Sequence, residues 1–313
     1  MKKNVRKHTR VNRRSVGGAS TTRRRSSKGQ ITKPPRIVIL DNDETTGAYW
    51  SLFSIIHIFR DYEINNFHLQ DIIPAITDFA VKTNVFRPGL VKLITTIYKL
   101  RQKGLLDAIV MYTYQTKFMG RKGDMSEFYN SHGQQVDMPH IIDYCFSYIA
   151  TGSIQPFCNL ILTRDEHMES MGLKEGDKYG PKSVELVMKK LHIHPTNDLR
   201  GLIFIDDCYL NQPIQKKYTV SPLTATYIKD YRTIMSEVQP ILDGVEQLYT
   251  TILHKYISKS QFDKFMDHLR KHKLNDSYYY SECSPKGVPF TYDKTDLTKL
   301  AGYIDKYYMA GKF

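Results

Sequence analysis

A chain of 313 residues with 41% hydrophobic content can bury the core of one generous α/β domain, while a formal charge of +13 invites a nucleic-acid reading. That reading fails for the body of the chain: of 45 Lys and Arg, 13 lie in residues 1–36, which carry no Asp or Glu, leaving 32 basic residues against 32 acidic ones. A neutral body has no overall field to draw it onto a polyanion, and no window approaches the ~20 apolar residues that cross a bilayer, so no membrane partner is expected.

Residues 1–35 read as a disordered basic tail. Arg6, Lys7, Arg10, Arg13, Arg14 and the Arg23-Arg24-Arg25-Ser26-Ser27 cluster leave too few apolar side chains to bury anything. Two readings stand level for it: a solvated extension that aids solubility, and an arm that contacts nucleic acid or serves nuclear import. A mitochondrial presequence ranks third, because Val5, Val11, Val16 and Ala19 form no apolar face. Lys33-Pro34-Pro35 closes the tail with a stiff joint.

Ile37-Val38-Ile39-Leu40 follows at once, four branched apolar residues that suit a strand covered on both faces. It ends in Asp41-Asn42-Asp43-Glu44-Thr45-Thr46, and reactive groups of open α/β sheets gather beyond the carboxyl ends of such strands. Residues 47–85 read as a small helical insertion after this strand, since Trp50, Phe53, Ile56 and Phe59 share one face and Leu69, Ile72, Ile76 and Phe79 repeat the spacing. Arg87-Pro88-Gly89 opens a helix carrying Leu90, Leu93, Ile94, Ile97 and Leu100, which stops at Gly104.

A second buried strand covers 107–113. After a longer, less regular stretch come a third strand at 159–163, a helix near 183–191 and a fourth strand at 202–207. Strand, helix and strand in repeated order imply an α/β fold, a Rossmann-like parallel sheet flanked by helices. Residues 226–313 read as mostly helical, broken at Pro240 and around 285–289, with 251–313 forming a helical C-terminal appendage. Cys145, Cys158, Cys208 and Cys283 have no paired spacing, which suggests neither a zinc knuckle nor a disulfide framework but reduced thiols. His192 and His194 lack a third ligand nearby and read as a loop. Tyr278, Tyr279 and Tyr280, beside Lys271, His272 and Lys273, read as an aromatic patch packing the appendage onto the body rather than as a base-stacking surface.

Four features carry chemistry, each at a strand end or a helix start: Asp41-x-Asp43-x-Thr45, Thr113, Lys182 and Asp206-Asp207. Alone each is ordinary, but together in one parallel sheet they meet the demands of phosphoryl transfer. Asp41 suits attack on phosphorus, and Asp43 suits protonation of the leaving oxygen followed by deprotonation of water. Asp41, Asp206 and a backbone carbonyl at Asp43 offer hard oxygen ligands for Mg2+, while Lys182 and the Thr113 hydroxyl would hold nonbridging oxygens.

These motifs resemble the haloacid-dehalogenase-type phosphatases. Asp41-Asn42-Asp43-Glu44-Thr45, Arg87-Pro88-Gly89 and Lys182 ahead of Ile205-Asp206-Asp207 resemble in particular the phosphatases of the RNA polymerase II C-terminal domain and of nuclear-LIM-interactor-interacting factors. The likeness spans residues 36–250. It implies a haloacid-dehalogenase-like domain with Asp41 as nucleophile, Asp43 as acid-base, Thr113 and Lys182 as phosphate binders, Asp41, Asp43, Asp206 and Asp207 at the metal, and Thr45 and Arg164 at the substrate. The chain departs from the pattern at Asn42 and Thr46, where apolar residues are usual, and at Asp207-Cys208, where Asn-Ser is more usual.

The expected function is a Mg2+-dependent phosphatase acting through an aspartyl-phosphate on phosphoserine or phosphothreonine of a protein, such as an RNA polymerase C-terminal repeat. The alternatives are a nucleic-acid or nucleotide phosphatase, and a noncatalytic RNA- or partner-binding protein on the same fold. The expected location is nuclear or cytoplasmic, with a virion or an infected host cell as the other setting.

Overall fold

The computed structural model describes residues 33–42, 45–114, 129–134, 136–174, 182–207, 217–228, 239–273, 290–292, 296–311 and 313. Residues 34–313 form one compact unit, and the expected disordered tail lies outside the described residues. Among the described residues six strands make one sheet: β1 (Ile37–Leu40), β2 (Ala108–Tyr112), β3 (Leu160–Leu162), β4 (Leu202–Asp206), β5 (Ala225–Ile228) and β6 (Phe290–Tyr292). Their order is β3-β2-β1-β4-β5-β6, and every pair is parallel. The expected Rossmann-like α/β sheet is thus present.

Alternation along the strands explains why a run of four apolar residues begins the fold. Val38 and Leu40 of β1, Ile109 and Met111 of β2, and Ile203 and Ile205 of β4 enter one core; Ile37, Ile39, Val110, Tyr112 and Phe204 enter another on the opposite face. The larger core is covered by α1 (Trp50–Asp61), α2 (Leu69–Lys82), α3 (Leu90–Gln102) and α4 (Met138–Thr151). The smaller one is covered by α6 (Val184–Lys190), while the short α5 (Arg164–Met171) follows β3 directly.

The chain moves outward from β1 to β3, then returns to place β4 on the other side of β1. This reversal opens a crevice at the carboxyl ends of β1 and β4, where open sheets of this type bind ligands. Asp41 and Asp206 flank it.

Helices α1 and α2 are the expected insertion, and its two ends are closed against each other. Gly47 bridges Phe86, Ala48 N–H donates to Val85 O at 2.8 Å and Arg87 N–H to Thr46 O at 2.9 Å. Gly47 is needed at this neck because a Cβ there would meet Val85 O at 2.5 Å.

The C-terminal part is helical as expected, and it is built into the same core rather than set beside it. Beyond β5, α7 (Gln239–Thr251), α8 (Lys259–Lys273) and α9 (Thr298–Met309) supply buried Val245, Phe262, Leu300, Ile304 and Tyr308 to the larger core. Helix α9 lies against α3, Leu297 N–H donates to Pro88 O at 2.7 Å, and Tyr308 donates to Gly201 O at 2.7 Å at the far end of the sheet. The sequence reading gave helix where β5 and β6 add two strands. Both are short and carry Thr and Tyr among few aliphatics, so they lack the apolar run that marks β1.

The irregular stretch before β3 contains α4, whose start is set by Asp137 accepting His140 N–H at 3.0 Å with Pro139 in the first turn. Cys145 and Cys158 are buried free thiols, and burial pushes the Cys145 thiol up to about 12. Cys208, Cys283 and the tyrosine run at 278–280 lie outside the described residues. His192 takes a left-handed backbone, φ 56°, where α6 ends, which suits the loop reading.

Gly89 ties the start of α3 to the C-terminal segment, and its replacement is the clearest stability test of the fold. Its φ is 80°, and a Cβ would meet Thr298 N at 2.4 Å and Leu297 N at 2.6 Å. Gly89→Ala is expected to cost about 2–5 kcal/mol, adding left-handed strain to overpacking against backbone that cannot yield. Urea denaturation checks this; a loss below about 0.5 kcal/mol, the scale of a surface change, would refute the close packing.

Candidate functional site

Strand register assembles the site. Leu40 pairs with Met111 on β2 and with Ile205 on β4, so Asp41 comes level with Tyr112 on one side and Asp206 on the other. Asp41 N–H donates to Ile205 O at 2.9 Å, carrying the ladder one residue past the strand and fixing the carboxylate at the sheet edge. Asp207 follows Asp206 directly. Oxygen atoms of Asp41, Asp206 and Asp207 lie within 4.8 Å of one another, and all three residues are buried.

Lys182 stands between Asp41 and Asp206. Its Nζ donates to Asp41 Oδ1 and, at 2.8 Å, to Asp206 Oδ2, and it lies 5.1 Å from the centre of the Tyr114 ring. Burial alone would push its pKa down, but Asp206 and Asp41 outweigh that and hold it well above the ordinary lysine value. The ammonium is therefore a fixed charge, placed by its position just ahead of Ser183, the N-cap of α6, whose hydroxyl accepts Leu186 N–H at 3.2 Å.

Thr45 joins the two sides of the crevice. Its Oγ1 lies 3.0 Å from Asp41 Oδ2 and 3.0 Å from Asp207 Oδ1, and it accepts Asp207 N–H at 2.8 Å. A hydroxyl has one proton, so it serves one of those carboxylates at a time. The Thr45 loop is supported from behind by Arg87, which is 1% exposed and donates from Nη1 to Thr45 O at 3.3 Å. Beside it, Thr46 Oγ1 donates to Asn42 O at 2.8 Å and lies 2.6 Å from Tyr49 Oη. The two departures at Asn42 and Thr46 thus belong to one buried polar knot that shapes the loop.

No protein-family model, curated protein or solved structure matches the chain.

Among the described residues, one ammonium and three carboxylates meet in this buried site. The donors are oxygen alone, with no sulfur or imidazole in the group, which fits a hard divalent cation of the Mg2+ class rather than a soft one. Asp41, Asp206 and Asp207 are the residues placed to hold it.

Of the residues singled out from sequence, Asp41, Thr45, Lys182, Asp206 and Asp207 are brought together. Thr113 is fully buried just past β2, its N–H donating to Leu162 O at 2.9 Å. Arg164 is half-buried as the first residue of α5, at the same edge of the sheet but two strands from β1. Asp43 lies outside the described residues. Sequence reasoning did not find Tyr112, Tyr114 or His167, and it took Arg87 only as part of a motif. A tyrosine closing an otherwise aliphatic strand was an available signal for Tyr112; His167, in the polar run Arg164–Met171, offered none.

Proposed function

We propose that this protein is a Mg2+-dependent phosphomonoester hydrolase of the haloacid-dehalogenase type, acting through an aspartyl-phosphate at Asp41 on phosphoserine or phosphothreonine of a protein. The observation that carries the reading is the meeting of Lys182 with Asp41, Asp206 and Asp207 at the reversal point of a parallel sheet. That combination supplies a nucleophile, a fixed cation for the phosphoryl group and a carboxylate set for a metal in one pocket.

In the first step an Asp41 oxygen forms a bond to phosphorus as the ester P–O bond breaks, and Asp43 gives its proton to the departing alkoxide. In the second, Asp43 takes a proton from water, whose oxygen displaces Asp41 and releases inorganic phosphate; one carboxyl used twice in this way contributes about 10²- to 10⁴-fold. Lys182 has three donors, so it can keep Asp206 while exchanging its bond to Asp41 for a nonbridging phosphoryl oxygen. Thr45 holds the second Asp41 oxygen in place for attack, and the role of Asp43 rests on its spacing from Asp41. Asp41, Asp206 and Asp207 are the residues that would hold Mg2+, which when bound would supply positive charge for phosphoryl transfer.

The test is turnover of a generic aryl phosphate by the full chain. Hydrolysis with Mg2+, lost on chelation and restored by added Mg2+, is the expected result. Undiminished hydrolysis after chelation would rule the mechanism out. The 13 basic residues within 1–36 favour a second reading, removal of a terminal phosphate from a nucleic acid. Competition between a phosphopeptide and a phosphorylated oligonucleotide, with and without residues 1–33, separates the two.

A further inference from the structure

Helix α5 is polar almost throughout, yet the one residue it buries is a histidine. His167 is 0% exposed, its Nδ1 lies 2.6 Å from the Tyr112 hydroxyl, and its Nε2 is buried with no hydrogen-bond partner among the described residues. An aliphatic side chain would fill such a place without stranding a polar nitrogen. The return for that cost lies on the Nδ1 side.

Tyr112 Oη accepts Ser183 N–H at 3.1 Å, so its own proton is available for His167 Nδ1. Ser183 is the residue after Lys182 and the N-cap of α6. A second route runs through Tyr114: its ring stands edge-on to His167 at 5.3 Å between centres, and its face receives the Lys182 ammonium. Two independent contacts of one imidazole therefore end on the same lysine, one through the backbone at its base and one at its charged tip.

We propose that Tyr112 and His167 form a positioning dyad that sets the placement of Lys182 between Asp41 and Asp206. The dyad is no part of the chemistry; it anchors the Ser183 N–H, the backbone position next to the lysine and the N-cap of α6. The proposal assigns the Tyr112 hydroxyl as donor to Nδ1, which puts the proton of a neutral ring on Nε2. Burial and the nearby Lys182 charge both hold the His167 pKa below its ordinary value, and burial lifts the Tyr112 hydroxyl to about 12, so both partners keep these forms at neutral pH.

The importance of the dyad for turnover rests on the phosphatase reading, so the test has one arm that needs no turnover. Lys182 in the full-length protein is buried and bonded to two acids, and is expected to resist acetylation by an N-hydroxysuccinimide ester, read residue by residue by mass spectrometry. His167→Leu and Tyr112→Phe should each raise Lys182 labelling about tenfold or more, by easing local opening, with the other lysines unchanged. His167→Asn, which keeps an acceptor at the Nδ1 position, should stay near the wild-type rate. Unchanged Lys182 labelling in both Leu and Phe variants overturns the dyad, as does an Asn variant as reactive as the Leu one.

In the activity arm, His167→Leu should lower kcat for aryl phosphate about 10- to 100-fold, the scale of a small misplacement, with the Asn variant restoring most of it. It should have no further effect on a Lys182→Ala protein; additive losses would show a purely structural role and sink the proposal. Raised labelling in a protein that hydrolyses nothing supports the dyad and removes the phosphatase reading. Should the Leu variant fail to fold, Tyr112→Phe and His167→Asn carry both arms.

Discussion

Asp41→Asn is expected to reduce aryl phosphate turnover by on the order of 10⁴-fold or more, the scale seen when the attacking group of a catalytic set is removed. The substitution keeps shape and changes only the chemistry. The amide oxygen can still accept from Lys182, and Thr45 Oγ1 still has Asp207 to serve, so neither the loop nor the lysine loses its anchor. An amide is nonetheless a poor nucleophile toward phosphorus, and the acyl phosphate cannot form. The substitution also removes one buried negative charge from the three described carboxylates, so folding should be unharmed. Rapid-quench measurement should trap labelled enzyme from the wild type and none from the variant. Residual turnover above about one per cent, well beyond what loss of a nucleophile leaves, would assign the attack to another group.

The second large effect falls on stability. Lys182→Met keeps a long apolar stem but removes the ammonium from buried Asp41 and Asp206, and breaking a buried ion pair in this way costs about 3–5 kcal/mol. Lys182 is bonded to two of the three acids, which places the expected loss toward the upper part of that range. Chemical denaturation without divalent cations measures it. Added Mg2+ should then stabilise the variant more than the wild type, because a site of higher negative charge binds a divalent cation more tightly and binding to the folded state alone raises stability. Equal stabilisation of the two proteins would mean that the lysine and the cation do not share one electrostatic pocket, and the proposed arrangement would fall.

Much of this was legible in the sequence because the strongest local signals coincide with the central strands. Ile37-Val38-Ile39-Leu40 is buried on both sides, and only a strand inside a parallel sheet suits such a run, so the residues that follow it had to stand at the sheet edge. The same logic placed Asp206 and Asp207. Helix α3 was equally plain, with Leu90, Leu93, Ile94, Ile97 and Leu100 all fully buried on one face.

What escaped was set by tertiary contact. Strand β5, Ala225–Ile228, is a strand because β4 offers it an edge, and β6 because β5 then offers another; four and three residues carry too little pattern to announce that. Arg87 read only as part of the Arg87-Pro88-Gly89 motif ahead of a helix, whereas it is buried behind Thr45 and supports that loop's carbonyl. His167 was invisible for a related reason. Its burial comes with the packing of Tyr112 and Tyr114 against it, and Tyr112 lies 55 residues earlier in the chain.

The seam between α3 and α9 bears on how the molecule is made. Helix α3 is complete at Gln102, but its neighbour spans Thr298–Met309, and the hydroxyl that reaches Gly201 belongs to Tyr308. A ribosome releases the first of these surfaces some two hundred residues before the second. Throughout that interval an oily flank at the middle of the nascent polypeptide has no native cover, and closing so long a loop is slow. Vectorial synthesis therefore leaves this core dependent on α9 to complete it, and a ribosome stalled short of Tyr308 would hold a client for chaperones rather than a finished domain.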